Sequence, residues 1–332
     1  MNVLDLDHLA VDLLVEGERR RVIHDVTLSL AEGEAVGLVG ESGAGKSMAS
    51  RAIIRLLPDG ARTSGEISFE GRSVLGMDRA ALRHYRAHDV AMIFQDPRAH
   101  INPVRRIGDF LTEGLVERGE ARDEATRVVT ELLGAVGVAE PARRLTQYPH
   151  ELSGGQLQRV MIAAALAATP RLLLADEPTT ALDVTTQSEV MAILDAARRE
   201  RGLAMVFVTH DLELAAAVCD RIAVLYAGLL VEDIPASRLH AERRHPYTAG
   251  LLASRPDPTN TQERLYAIPG RPLSALEIGP GCPFAARCAF ALERCQIERP
   301  ALRELGVGRV ACHRAEELGD QLLAPATGGL GA

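Results

Sequence analysis

An α/β fold followed by a small cysteine-bearing extension is what this chain predicts, and three observations carry that reading. Over the first 235 residues or so, short apolar runs alternate with helix-like stretches. One of those runs leads through a glycine-rich loop directly into a helix-like segment. After Arg255 the texture changes, with Pro256, Pro258, Pro269, Pro272, Pro280 and Pro283 breaking up any long element while cysteines begin to appear.

Taken in order, Val22 to Leu30 is extended without strict alternation. Glu66-Ile-Ser-Phe69, Val90-Ala-Met-Ile-Phe94, Arg171-Leu-Leu-Leu-Ala175, Leu203-Ala-Met-Val-Phe-Val208 and Arg221-Ile-Ala-Val-Leu-Tyr226 read as strands. The last four are nearly continuous apolar runs, as suits strands covered on both faces. Between 106 and 168 the pattern turns helical, with Ile107, Phe110, Leu111 and Leu115 at three- and four-residue spacing. The expected organisation is a nucleotide-binding domain over 1–255 with a helical subdomain at about 106–168, then an extension over 256–332 with a disordered tail from 324.

The loop Gly40-Glu41-Ser42-Gly43-Ala44-Gly45-Lys46-Ser47 follows the strand-like Ala35-Val-Gly-Leu-Val39 and contains the chain's only lysine among 37 basic side chains. Its pattern is G-x-x-x-x-G-K-S, the phosphate-binding P-loop. Glycines let backbone N–H groups curl around phosphates, and the helix N-terminus that follows adds a favourable dipole. A compact ammonium reaches between the β- and γ-phosphates where a planar guanidinium would collide with the loop. The chain is therefore expected to bind a nucleoside triphosphate through residues 40–48, Met48 included.

Further along, Leu152-Ser153-Gly154-Gly155-Gln156 stands before another helix-like run. It reads either as a second anion cradle serving a neighbour's nucleotide or as a plain helix cap built on Ser153. Asp176 ends an apolar strand, where its carboxylate can hold Mg²⁺, and Glu177 beside it can orient or deprotonate an attacking water. Gln95 ends the run Val90 to Phe94 and can offer a neutral oxygen to Mg²⁺ and water. His210 closes Val206-Phe-Val-Thr-His, at the strand end where open α/β sheets bind ligands.

In order and spacing these motifs, with Ala181-Leu-Asp183, resemble ABC-transporter ATPase subunits over residues 3–235. Tyr148-Pro-His-Glu-Leu152 resembles importers. His245-Pro-Tyr-Thr248, Ile268-Pro-Gly-Arg-Pro272 and Gly281-Cys-Pro-Phe284 through Cys312-His313 resemble the C-terminal extension of oligopeptide, dipeptide and nickel importer ATPases. The resemblance implies an ABC-type fold with a mixed sheet and a helical subdomain. It also implies ATP and Mg²⁺ as ligands, Ser47 and Gln95 on the metal with Asp176 behind, Glu177 as base, His210 on the γ-phosphate and Asp183 coupling two sites. Residues 153–156 would complete the ATP site of a second ATPase subunit, in a heterodimer. Two transmembrane permease subunits would dock near Gln95 to Arg105, served by an extracytoplasmic substrate-binding protein, which sets the chain on the cytoplasmic face of the inner membrane. Oligopeptides or dipeptides are the expected cargo, nickel or another small solute the alternative. Two positions depart from the family: Leu13 stands where an adenine-stacking aromatic is usual, and Met48 where a hydroxyl residue is common.

Cys282, Cys288, Cys295 and Cys312 are separated by five, six and sixteen residues. Zinc sites favour tighter pairs, whereas an iron–sulfur cube takes four more widely separated thiolates. A [4Fe–4S] cluster, which the resemblance also implies, Zn²⁺ and metal-free thiols remain the readings for this cluster, and Cys219 reads as a small core residue. The net charge of −8 and the absence of a long basic run argue against nucleic acid as a partner, and with it against a DNA-acting ATPase. The best apolar run, Val160 to Ala168, falls short of the roughly 20 residues that cross a bilayer.

Overall fold

The computed structural model describes residues 2–179, 184–254 and 266–323. The boundary expected near 255, the Asp183 motif and the tail from 324 lie outside them. The strands are β1 (Asn2–Val15), β2 (Glu18–Ala31), β3 (Ala35–Val39), β4 (Arg62–Phe69), β5 (Arg72–Ser73), β6 (Val90–Ile93), β7 (Leu172–Asp176), β8 (Ala204–Thr209), β9 (Arg221–Tyr226), β10 (Leu229–Pro235), β11 (Arg303–Leu305) and β12 (Gly308–Val310). The helices the site depends on are α1 (Lys46–Ile53), α2 (Arg79–His84), α3 (Ile107–Glu117), α4 (Arg122–Ala135), α5 (Pro141–Leu145), α6 (Gly154–Ala167), α7 (Val184–Arg201), α8 (Leu212–Val218), α9 (Leu239–Glu242) and α10 (Pro246–Ala253).

Two units divide the chain. The first comprises Met1–Asp5, Ser29–Ala35 and Ser68–Val208; the second comprises Leu6–Leu28, Val36–Ile67 and Thr209–Ala332. In the first, β6, β7 and β8 run parallel, with Val90 opposite Leu172 and Leu172 opposite Ala204. Every residue of β7 and β8 is buried, which is why both read as unbroken apolar runs. From 107 to 167 the regular elements are helical; α3, α4 and α6 pack on one another, and Leu111, Leu115, Val129, Leu133, Leu157 and Val160 are buried.

In the second unit β3 lies parallel to β9, β9 antiparallel to β10, and β10 parallel to β2. The same β10 pairs antiparallel with β12, Glu232 opposite Val310, so the extension joins a mixed sheet. The junction is fixed by charge as well. Asp233, 3% exposed, accepts from Arg221 of β9 at 2.7 Å and from Arg309 of β12 at 2.6 Å. Among the described residues no helix is long and apolar enough to cross a membrane.

Candidate nucleotide-binding site

The phosphate loop leaves β3 and enters α1. Gly40 packs so closely under the carbonyl of Leu225 that a Cβ there would collide with backbone. Gly45 sits at φ +102°, where a side chain is strained, and a Cβ would meet Ile23 at 2.6 Å. As the N-cap of α1, Gly45 makes no side-chain hydrogen bond to the helix, and a glycine there lets a ligand approach the backbone closely. Lys46 is 6% exposed and turns its ammonium back into the loop, donating to Gly40 O at 2.7 Å and Glu41 O at 3.0 Å. Ser47 and Met48 follow it in the first turn of α1. His210, in the same unit, is exposed immediately after β8, ahead of Asp211, which caps α8.

In the first unit, β7 ends on the buried Asp176 and Glu177 follows at φ +47°, a left-handed conformation that costs a non-glycine residue about 1 kcal/mol. Such strain gathers at functional positions. The N–H of Glu177 is held by Val208 O at 2.9 Å, and Gln95 Nε2 donates to its Oε2 at 2.9 Å. The chain thus brings Gln95, Asp176 and Glu177 to the ends of adjacent parallel strands. Ser153 caps α6: its hydroxyl accepts from Gln156 N–H at 3.3 Å, while the Gln156 side chain accepts from Ser153 N–H at 3.0 Å. The reading of this motif as a helix cap therefore describes its present geometry.

Around the phosphate loop the structure gathers residues that motif reading missed. The N–H of Glu41 donates to the Tyr247 hydroxyl at 2.8 Å, and the Glu41 carboxylate accepts two hydrogen bonds from Arg287, at 2.6 and 3.1 Å. Tyr226, Tyr247 and Phe284 pack edge-on or tilted, with ring centres 4.7 to 5.3 Å apart, and the Arg287 guanidinium lies 5.8 Å from the Tyr226 ring. Burial works most strongly against the Arg287 charge, but the hydrogen bonds to Glu41 and Tyr226 and the Glu41 charge together more than offset it, so its pKa lies above the ordinary arginine value. A signal for this group was present: the chain has only 5 Tyr and 6 Phe and no Trp, so three aromatics in one cluster mark a place of need.

Cys282, Cys288, Cys295 and Cys312 line one cavity with His245, Phe284, Phe290 and His313. Burial pushes the Cys282 thiol up to about 12 and the Cys312 thiol up to about 11, and the neighbouring sulfurs add to both shifts. Cys295 accepts from Leu292 N–H and Cys312 from Arg314 N–H. Among the described residues no three His, Cys, Asp or Glu side chains are arranged to hold a metal ion. What the four cysteines share in this structure is the lining of that cavity.

A strand, a glycine loop closed by lysine and a helix, with acid-tipped parallel strands elsewhere in the chain, define a P-loop nucleotide-binding cassette. Residues 23–180 match the ABC transporter family, and 231–295 match the oligopeptide/dipeptide transporter C-terminal region. The chain is 40% identical over 318 residues to the oligopeptide transport ATP-binding protein OppD of Mycobacterium tuberculosis, covering 95% of this chain and 52% of that protein. It thus spans about half the length of its mycobacterial relatives. Against OppD of Haemophilus influenzae the identity is 40% over 296 residues, covering 89% of this chain and 92% of the relative. A dimeric ATP-binding cassette, MJ0796, in a post-hydrolysis state with ADP and phosphate, superposes with a TM-score of 0.64 at 29% identity, covering 70% of this chain and 98% of that one. The chain belongs to the ABC transporter family of ATP-binding proteins, in its oligopeptide/dipeptide branch.

Proposed function

We propose that this chain is the ATP-hydrolysing subunit of an ABC importer for oligopeptides or dipeptides. The observation that carries hydrolysis is the 2.9 Å hydrogen bond between Gln95 and Glu177, next to the buried Asp176. It sets a carboxylate beside a neutral oxygen ligand at the ends of neighbouring strands. In this reading the loop amides of 40–48 and Lys46 bind the ATP phosphates, while Ser47 and Gln95 hold Mg²⁺ with Asp176 behind. Glu177 takes the proton of the attacking water, and His210 binds the γ-phosphate. Peptide cargo is supported by the match over 231–295 and by the OppD relatives.

A second ATPase subunit, a paralogue in a heterodimer, meets this chain through Ser153, Gly154, Gly155 and Gln156, with Asp183 coupling the two sites. Two permease subunits dock near Gln95 to Arg105, where Phe94 stacks on His100 at 3.8 Å and Val104 is 79% exposed. That attachment places the chain at the cytoplasmic face of the membrane, with a substrate-binding protein delivering cargo from outside. Glu177→Gln tests the reading: ATP binding should persist while turnover falls about 100-fold or more. Turnover at the parental rate would remove Glu177 from the chemistry.

The four cysteines are proposed as ligands of a [4Fe–4S] cluster. Their common cavity and the N–H donors aimed at two of the sulfurs support it, since such hydrogen bonds tune cluster thiolates. Protein purified without oxygen should contain iron and acid-labile sulfide, both lost in Cys288→Ser. Stoichiometric zinc without iron would replace the cluster by Zn²⁺.

A further inference from the structure

Sequence distance sets the cysteine extension far from the phosphate loop, since 246 residues separate Glu41 from Arg287. Structure removes that distance. Arg287 lies between Cys282 and Cys288, in a short turn at Ala285–Arg287, and its side chain is only 5% exposed. Its Nη1 and Nη2 grip the two carboxylate oxygens of Glu41, its Nε donates to Pro269 O at 2.9 Å, and Nη1 also reaches the Tyr226 hydroxyl at 3.3 Å. Such a fork holds a carboxylate in position and orientation, which one point charge cannot do. The same Glu41 supplies one of the two carbonyls that hold Lys46 and gives its N–H to Tyr247. Phe284 packs on both tyrosines on one side and lines the cysteine cavity on the other.

We propose that Arg287 is a positioning residue for the nucleotide site: by clamping Glu41 it fixes the first turn of the phosphate loop, so ATP affinity depends on the fold of the cysteine-bearing turn 282–288. The inference rests on ATP binding at residues 40–48 and is independent of what, if anything, the cysteines hold. Severing the clamp leaves a buried guanidinium or an unanchored loop. It acts on binding and leaves Glu177 untouched.

The test measures Mg–ATP affinity by titration calorimetry, and KM and kcat for hydrolysis, in the full chain. Arg287→Met and Glu41→Gln should each weaken ATP binding about tenfold, within the usual range for coupled sites, and raise KM with kcat at saturation retained. The double variant should be no weaker than the weaker single, because both remove one interaction. Arg271→Met, which cuts the exposed Arg271–Glu277 pair of the same extension, should bind as the parent does. Thiol titration of the four cysteines confirms that each variant is folded. Should Arg287→Met fail to fold, Glu41→Gln decides alone, since it leaves the extension unaltered. Parental affinity in folded Glu41→Gln, losses that multiply in the double variant, or an equal loss in Arg271→Met would each overturn the clamp. A parental chain that binds no ATP would instead sink the nucleotide site itself.

Discussion

Two glycine loops in this chain lead into helices, and their N-termini are finished differently. α1 begins on Gly45 with no side-chain cap, its loop folded around an internal lysine. α6 begins on Ser153 with a reciprocal cap that satisfies the N–H groups of both Ser153 and Gln156. The first is built to receive an anion from its own chain's site. The second is self-sufficient until something displaces Gln156. A side-chain cap stabilises a helix start, so the contrast separates a terminus finished by its own side chains from one that is not.

The largest expected effect breaks the first of these loops. Lys46→Arg keeps the charge but not the shape and should weaken ATP binding roughly 10- to 100-fold, the loss of charge-assisted hydrogen bonds of about 1.5–3 kcal/mol. Affinity close to that of Lys46→Ala is expected in an equilibrium titration; parental affinity would show that charge alone suffices. Next comes a pair of identical substitutions. Gly45→Ala should cost about 1–2 kcal/mol, because its φ is left-handed and its Cβ meets Ile23. A Cβ on Gly154 meets nothing within 4 Å, so Gly154→Ala should leave thermal stability unchanged or raise it by up to about 1 kcal/mol. If residues 153–156 complete a second subunit's ATP site as proposed, turnover in that variant should nevertheless fall. A fully active Gly154→Ala would reduce the second loop to a cap.

How much of this was legible in the sequence depends on the length scale of each signal. β6, β7, β8 and β9 are found where apolar runs predicted them, because strands buried on both faces advertise themselves without periodicity. β10 escaped notice although all but its last residue are buried, since Glu232 and Asp233 interrupt it with charge. Those acids are tolerated there only because Arg221, Arg309 and backbone N–H groups meet them, a compensation no local window contains. β11 and β12 hid for the same reason: β12 exists by pairing with β10, and β11 by pairing with β12. The P-loop and Asp176-Glu177 were legible because each is contiguous. Arg287 was not, because one arginine in an arginine-rich chain carries no mark until Glu41 is seen against it.

Smaller effects sharpen the contrast further. Ser153→Ala removes the cap and should cost about 1 kcal/mol of stability; a loss of hydrolysis much larger than that would report a second use for the hydroxyl. The smallest concerns pH. Burial raises Glu232 to about 7, so its contribution favours the folded state fully below the ordinary value near 4.5 and is lost as pH rises through 7. Burial also lowers His245 to about 3, so its contribution is present above 6.5 and lost as pH falls toward 3. Glu232→Gln should therefore flatten the decline in thermal midpoint between pH 5 and 7 while leaving the acid limb in place. An unchanged slope would mean that Glu232 is ionised at no cost.

The pairing of β12 with β10, tied at Asp233, bears on how this protein can be cut. A chain ended at 254 would keep every nucleotide motif yet lose Arg309 and the hydrogen-bond partner of residues 232 and 233. It would carry a bare strand edge of the kind that recruits other chains, and its phosphate loop would have lost Arg287. Swapping extensions between related ATPases meets the same obstacle. What looks like an appendage by position is, by hydrogen bonding, one of the sheet's own borders, and a graft must bring its matching β10 and Glu41 with it.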